Sequence, residues 1–286
     1  MRGRFEVVNA TIVAAACLDA PAVAADAATV GRMKRDRFAV VVALAGGLGL
    51  ALGNAGCSRA THSGPGASGG PGASATTAGG NGAVDPLGTY MGRTLATPMS
   101  YQGADWLDRS DRETTEQPEH VLDVLGVKEG MNVADVGAGS GYFTVRIAKR
   151  IAPRGHVLAT DLQPEMLDLL RAKVKEAKLT NVVPVLTTES DAKLPRGELD
   201  LVLMVDVYHE LPKPAQTLAQ VRAALRPDGR IALVEYRGED PEVPIKPEHK
   251  TTLVQIRREL EANGFVFRSS DESLPQQRII VFTPAR

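Results

Sequence analysis

The sequence predicts an α/β fold, doubly wound around a largely parallel sheet, in the last two thirds of the chain. Three observations predict it. Short apolar runs bounded by turns alternate with segments of helical spacing from about Pro98 to Arg286, the pattern of βα units. The run Val133-Ala134-Asp135-Val136 passes into a turn with Gly137, Gly139 and Gly141 and then into a helical pattern reaching about Arg150. A second strand pattern, Gly155 to Asp161, ends in an acid twenty residues after Gly141.

What precedes this domain is different material. Phe38 to Leu52 is an uncharged apolar stretch preceded by Lys34, Arg35 and Arg37, a basic region followed by a hydrophobic one. It is shorter than the roughly 20 residues of a spanning helix and suits an export signal better. Met33 is then an attractive true start, with residues 1–57 as the leader. The segment Asn54-Ala55-Gly56-Cys57-Ser58 resembles a bacterial lipoprotein signal, which implies a lipid anchor at Cys57. It departs from that pattern at Asn54, where Leu or a similar apolar residue is preferred. The expected location is therefore the membrane, or the cytoplasm if an internal start is used. Residues 58–97 read as a linker, because 58–84 is almost entirely Gly, Ala, Ser, Thr and Pro and cannot bury apolar surface. A flexible coil of 27 residues spans on the order of 30 Å, enough to hold a domain clear of a surface.

The 286-residue chain has a formal net charge of -1, and the part from Pro98 onward holds 25 basic and 29 acidic residues. Such a domain offers no field for a polyanion, so nucleic acid is not an expected partner. Both cysteines, Cys17 and Cys57, lie before the domain, which excludes a disulfide scaffold and a cysteine-ligated zinc site within it. No metal ligand set is expected.

The glycine turn discriminates between cofactors. Its glycines let the backbone turn sharply and let a ligand approach closely, and the free amides at the following helix start favour an electronegative group. A dinucleotide fingerprint GxGxxG would place Gly or Ala where the chain has Tyr142. Asp161 is placed to accept bonds from two ribose hydroxyls. Pro164 suits the first turn of a helix continuing to about Lys178. Val182 to Leu186 is a third strand, followed by the loop Thr187 to Ala192, and Asp200 to Asp206 is a fourth. A helix end and turn at Leu225 to Arg230 lead into a fifth, Ile231 to Tyr236. A last helix ends at Asn263-Gly264, with strands near Phe265 to Phe267 and Arg278 to Phe282.

Asp135 followed by GxGxG resembles the first motif of class I S-adenosylmethionine-dependent methyltransferases, and the likeness extends over about Val121 to Phe282. It implies a Rossmann-like, seven-stranded sheet ordered 3-2-1-4-5-7-6 with strand 7 antiparallel. It also implies S-adenosyl-L-methionine as cofactor, held by Asp135, Gly137, Gly139, Ser140, Gly141, Asp161 and Asp206. Asp191 is the expected adenine contact, since this family commonly sets an acid there.

Methyl transfer is an in-line displacement, and holding the acceptor in line can supply most of the acceleration. Asp206-Val207-Tyr208-His209-Glu210 is the segment expected to meet that acceptor, with His209 as a proton acceptor, Asp206 or Glu210 to orient it or stabilise positive charge near the sulfonium, and Asp206 as a pocket wall. Trp106 and the proline-rich Val243 to Lys250 are candidate lids, and Lys246, His249 and Lys250 candidate anchors for an anionic substrate. The absence of an Asn-Pro-Pro-aromatic motif and of cysteines leaves a small-molecule acceptor, whose identity and atom stay open together with the oligomeric state. Two other classes compete. A tethered, noncatalytic binding module would explain an export signal that takes the domain away from the cytoplasmic cofactor pool. An NAD(P)-dependent oxidoreductase is the less favoured, because of Tyr142.

Overall fold

In the computed structural model, residues 83–86 and 88–286 are described; the expected leader, Cys57 and the first part of the linker, 58–82, lie outside them. A short hairpin, β1 (Thr89–Tyr90) and β2 (Arg93–Thr94), leads to three short helices, α1 (Ala104–Leu107), α2 (Arg112–Thr115) and α3 (Pro118–Val124). The βα alternation follows: β3 (Asn132–Val136), α4 (Tyr142–Ile151), β4 (His156–Asp161), α5 (Pro164–Glu176), β5 (Val182–Leu186), β6 (Leu199–Val205), α6 (Pro214–Ala224) and β7 (Leu225–Tyr236). The chain closes with α7 (Leu253–Ala262), β8 (Phe265–Asp271) and β9 (Gln277–Pro284).

The sheet has seven strands in the order β5-β4-β3-β6-β7-β9-β8, with β9 antiparallel to both of its neighbours. This is the order 3-2-1-4-5-7-6 implied by the resemblance. Strand order reverses between β3 and β6, so the crevice beyond their carboxyl ends is where a doubly wound sheet binds its ligand. Helices cover both faces, which is why the central strands are apolar runs rather than alternating ones: Leu201, Val202, Leu203 and Met204 of β6 are all fully buried. Helix α4 turns Phe143, Ile147, Ala148 and Ile151 onto one side of the sheet; Leu218, Val221 and Ala224 of α6 pack on the other.

Two expectations need correction. The turn foreseen at Leu225 to Arg230 is an irregularity within one long strand. Leu225 pairs with Leu199, pairing resumes at Arg230 with Leu201, and the residues between bulge out around Pro227, which cannot donate to a ladder. The linker boundary at residue 97 also falls inside packed structure. Tyr90 is fully buried, and Arg93 and Ala96 are buried with it. The Arg93 guanidinium makes two bonds of 2.9 Å to the carboxylate of Glu259 on α7. The composition of 58–84 hides this, because only a few apolar and charged residues after it do the anchoring.

Among the described residues, no helix is long and apolar enough to cross a membrane.

Candidate active site

A cavity of about 970 Å³ opens at the carboxyl ends of β3, β4, β6 and β7. Its size lies near the upper end for ligand pockets, with room for a cofactor and a second molecule. One end is built by the glycine turn. Gly137, Gly139 and Gly141 all have left-handed φ, of 71°, 54° and 87°. A Cβ on Gly137 would stand 2.5 Å from Val207 Cγ2, and one on Gly139 2.7 Å from Leu107 Cδ1, so side chains cannot enter without displacing cavity walls. The backbone amides of Gly137 and Ala138 donate to the Thr160 carbonyl, which pins the turn to the end of β4.

Asp161 lies beside that turn, lines the cavity and is 8% exposed. One carboxylate oxygen accepts from the Gly139 amide and the other from the Gln163 amide, each at 2.9 Å. Burial pushes its pKa up, and the backbone bonds oppose this. Each oxygen keeps a further lone pair for a donor in the cavity. Thr160, Leu162, Met166, Thr188, Glu189 and Ala192 continue this wall.

The expected cofactor residues do not all face the cavity. Asp135 sits beneath the turn, where it accepts a 2.5 Å bond from the Thr144 hydroxyl at the start of α4. Ser140 is fully buried and exchanges bonds with Asp108 and Lys173. Neither lines the main cavity. Asp135 ties the turn to α4, and Ser140 ties it to Asp108 and to Lys173 of α5. Asp191 turns outward and pairs with Lys193 at 2.5 Å, and the cavity wall at that loop is made by Glu189 and Ala192. The short bridge between Thr188 and Asp191 closes the loop and sets Asp191 on its outer side.

Asp135 makes a testable contribution. Burial raises its pKa to about 6, with the Thr144 bond opposing and the Asp161 charge adding. The native state therefore holds this proton more tightly than the unfolded chain. The associated stability is complete below about pH 4 and is lost as pH rises through about 6. Asp135→Asn keeps an acceptor for Thr144 and removes the titration. Melting curves across pH 4 to 7 are expected to show wild type losing on the order of 2 kcal/mol that the variant does not lose; matching slopes would refute the assignment.

The other end of the cavity is polar and more deeply built. Asp206 ends β6 with a left-handed φ of 54°, which aims its carboxylate at Gln277 of β9; the Gln277 amide donates to both oxygens at 2.8 and 2.7 Å. Burial and the neighbouring Glu116 and Glu235 raise its pKa well above the ordinary value. The structure thus places Asp206 on the cavity wall. His209 follows in a single 3-10 turn, Tyr208–Glu210, and is 2% exposed. Its Nδ1 lies 2.6 Å from Glu235 Oε2, which fixes Nδ1 as the donor when the carboxylate is ionised, and its Nε2 faces His249 Nδ1 at 3.1 Å. Burial disfavours the His209 charge, but Glu235 outweighs it and raises the pKa. Asp206 is not hydrogen-bonded to His209; Glu235 holds the position expected of it.

Sequence reasoning missed Glu235, Glu116 and Gln277. The signal for Glu235 was available as a lone acid inside the apolar strand Ile231-Ala232-Leu233-Val234, where an unpaired carboxylate would be costly. Of the candidate lids, the Pro244 to His249 stretch lines the cavity, as do Trp106 and the strip Thr94 to Met99. The Arg109 guanidinium stacks 3.9 Å over the ring of Trp106, a residue that is 52% exposed. Tyr142, at the position that excluded a dinucleotide fingerprint, is stacked by Arg112 and Arg146 at 4.0 Å each and donates to Glu113.

Fold, switch point and glycine turn define a class I methyltransferase architecture, and comparison with known proteins agrees. Residues 134–231 match the family described as a methyltransferase domain. A S-adenosylmethionine-dependent methyltransferase from Aquifex aeolicus superposes with a TM-score of 0.62 at 27% identity, over 65% of this chain and 98% of that one. Demethylmenaquinone methyltransferase of Listeria welshimeri is 29% identical over 126 residues, 44% of this chain and 52% of that protein. Protein-L-isoaspartate O-methyltransferase of Methanothrix thermoacetophila is 27% identical over 139 residues, 48% and 63% respectively. Residues 134–231 thus match a methyltransferase domain, and the folded part of the chain is similar to S-adenosylmethionine-dependent methyltransferases. It spans about half the length of the first of these curated relatives.

Proposed function

We propose that this domain transfers a methyl group from S-adenosylmethionine to a small-molecule acceptor bound against His209, Asp206 and the Pro244 to His249 stretch. The observation that carries the reading is the division of one cavity into two differently built ends. The glycine turn and Asp161 suit a ribose and its attached groups at one end; a roofed, carboxylate- and imidazole-lined chamber lies at the other. The residues fit the cofactor, because Asp161 has acceptor capacity left after its two backbone bonds and Leu162 and Met166 offer an apolar wall for a purine. Bound there, the cofactor supplies an electrophilic methyl carbon on a sulfonium.

The chain's own work is then positional. Asp161 fixes the ribose, the buried Asp135 and Ser140 keep the glycine turn in shape, and the Trp106 roof and the Thr94 to Met99 strip exclude water. The relative with a quinone-type name, demethylmenaquinone methyltransferase, supports an acceptor of small-molecule size at low identity. The acidic balance of the domain supports it independently.

Thermal unfolding of the full chain distinguishes this from the competing classes. At a hundredfold excess over its dissociation constant, S-adenosylmethionine is expected to add about 2.7 kcal/mol of stability, with no shift from NAD or NADP. A shift by a nicotinamide cofactor alone would transfer the domain to the oxidoreductases. Absence of any shift would leave a binding module that keeps the fold.

A further inference from the structure

We propose that His209, Glu210 and His249 form a binding site for one divalent transition-metal ion of the zinc type, open to the acceptor end of the cavity. The three come from two segments, the turn after β6 and the 3-10 turn Pro247–His249 after β7. Their candidate ligand atoms, His209 Nε2, His249 Nδ1 and one Glu210 carboxylate oxygen, all lie within 4.8 Å of one another. The separations are 3.1 Å between the two nitrogens, 3.4 Å from His249 Nδ1 to Glu210 Oε1, and 3.8 Å from His209 Nε2 to the same oxygen. Ligands about 2.0 to 2.1 Å from a tetrahedral zinc stand about 3.3 Å apart along each edge. The triangle is thus already close to the required size.

Two further features separate this from an incidental cluster. His209 Nδ1 is held by Glu235 at 2.6 Å, inside the protein, so the Nε2 lone pair is left to face the other two groups. A carboxylate behind a histidine in this way is the arrangement that orients metal-bound imidazoles. All three residues line the cavity, so a fourth position would open into it, where an acceptor can reach it. Two imidazoles and one carboxylate are borderline ligands that favour zinc and its neighbours over magnesium or calcium. Three protein ligands with one open position is the pattern of catalytic zinc. His249 lies 39 residues from Glu210, and that spacing matches no familiar ligand motif, which is why a metal is not expected from the residues alone.

The role follows from the open position and rests on the methyl-transfer reading. A hydroxyl or thiol acceptor bound there loses its proton to solvent more readily, since coordination favours the deprotonated form. The heteroatom then forms a bond to the methyl carbon as the carbon–sulfur bond breaks, its electron pair passing to sulfur. The acceptor class is accordingly a small molecule bearing a hydroxyl or thiol.

The test uses the full chain, stripped with a chelator and titrated with Zn2+ by calorimetry and with Co2+ by visible absorption. One ion per chain is expected, with the d–d bands of a four- or five-coordinate Co2+ site. His249→Ala, in a partly exposed loop, is expected to abolish these bands while the melting temperature of the metal-free protein stays close to wild type. Glu235→Gln is expected to weaken affinity by about 10- to 100-fold. Wild-type protein that takes up no ion, or a His249→Ala variant that binds as tightly, would overturn the proposal. S-adenosylmethionine binding is measured on the same stripped samples: loss of that binding with metal uptake intact would sink the methyl-transfer reading alone, and the reverse would sink the metal site alone.

Discussion

Asp161→Asn is expected to weaken S-adenosylmethionine binding by about 10- to 100-fold. A charge-assisted hydrogen bond contributes roughly 1.5 to 3 kcal/mol, and the substitution removes the charge behind any bond to a ribose hydroxyl. The effect is not confined to the ligand. Both carboxylate oxygens already accept backbone amides, from Gly139 and Gln163, and an asparagine can satisfy only one of the two. Its amide nitrogen must confront the other donor, so the glycine turn loosens and the cofactor-free protein loses about 1 to 2 kcal/mol as well. Calorimetry gives the affinity and thermal melting without cofactor gives the structural share. Unchanged affinity would remove Asp161 from the binding site.

Arg93→Ala is expected to have the largest effect on stability, about 3 to 5 kcal/mol. The Arg93 and Glu259 side chains are 7% and 0% exposed, so truncation strands a buried carboxylate. The hydroxyl of Tyr208 and the amide of Gln255 still donate to Glu259, at 2.6 Å each, but neither carries a charge. Replacing both partners, Arg93→Met with Glu259→Leu, should recover most of the loss, which separates the stranded charge from mere packing. Arg93 also donates to the His209 carbonyl at 3.1 Å, so its loss reaches the cavity. Thermal melting of the single and double variants decides the matter, and a single-variant loss below about 1 kcal/mol would show that the pair is dispensable.

How much could be read in advance depended on whether an element was defined locally. Val182 to Leu186 matches β5 residue for residue, and the helix after the glycine turn starts at Tyr142 as its spacing requires. Glycines, prolines and apolar periodicity act over a few residues, so they are visible in a single sequence. The strand order carried over from the resemblance, and the sheet has it. Side-chain partners were less legible. Asp191 was placed by analogy of position, yet a two-residue bridge and Lys193 turn it outward. Glu235 and His249 meet His209 from 26 and 40 residues away, and only the folded crossing of β7 and its following loop brings them there. Arg93 escaped notice for the same reason, since its partner lies 166 residues downstream.

At the end of β6 the backbone adopts a conformation that suits glycine, and the chain nevertheless keeps Asp206 there. Left-handed geometry costs an L-residue roughly 1 kcal/mol, somewhat less for aspartate. A glycine would relax the turn and spare the burial of a carboxyl group beside Glu116 and Glu235. A search that optimises robustness without regard to chemistry would therefore choose Asp206→Gly early, and would erase the acid that Gln277 steers into the cavity wall. On the proposed function, position 206 is where tolerance to heat and the capacity to handle an acceptor pull in opposite directions, and a stabilised form of this domain would have to leave it alone.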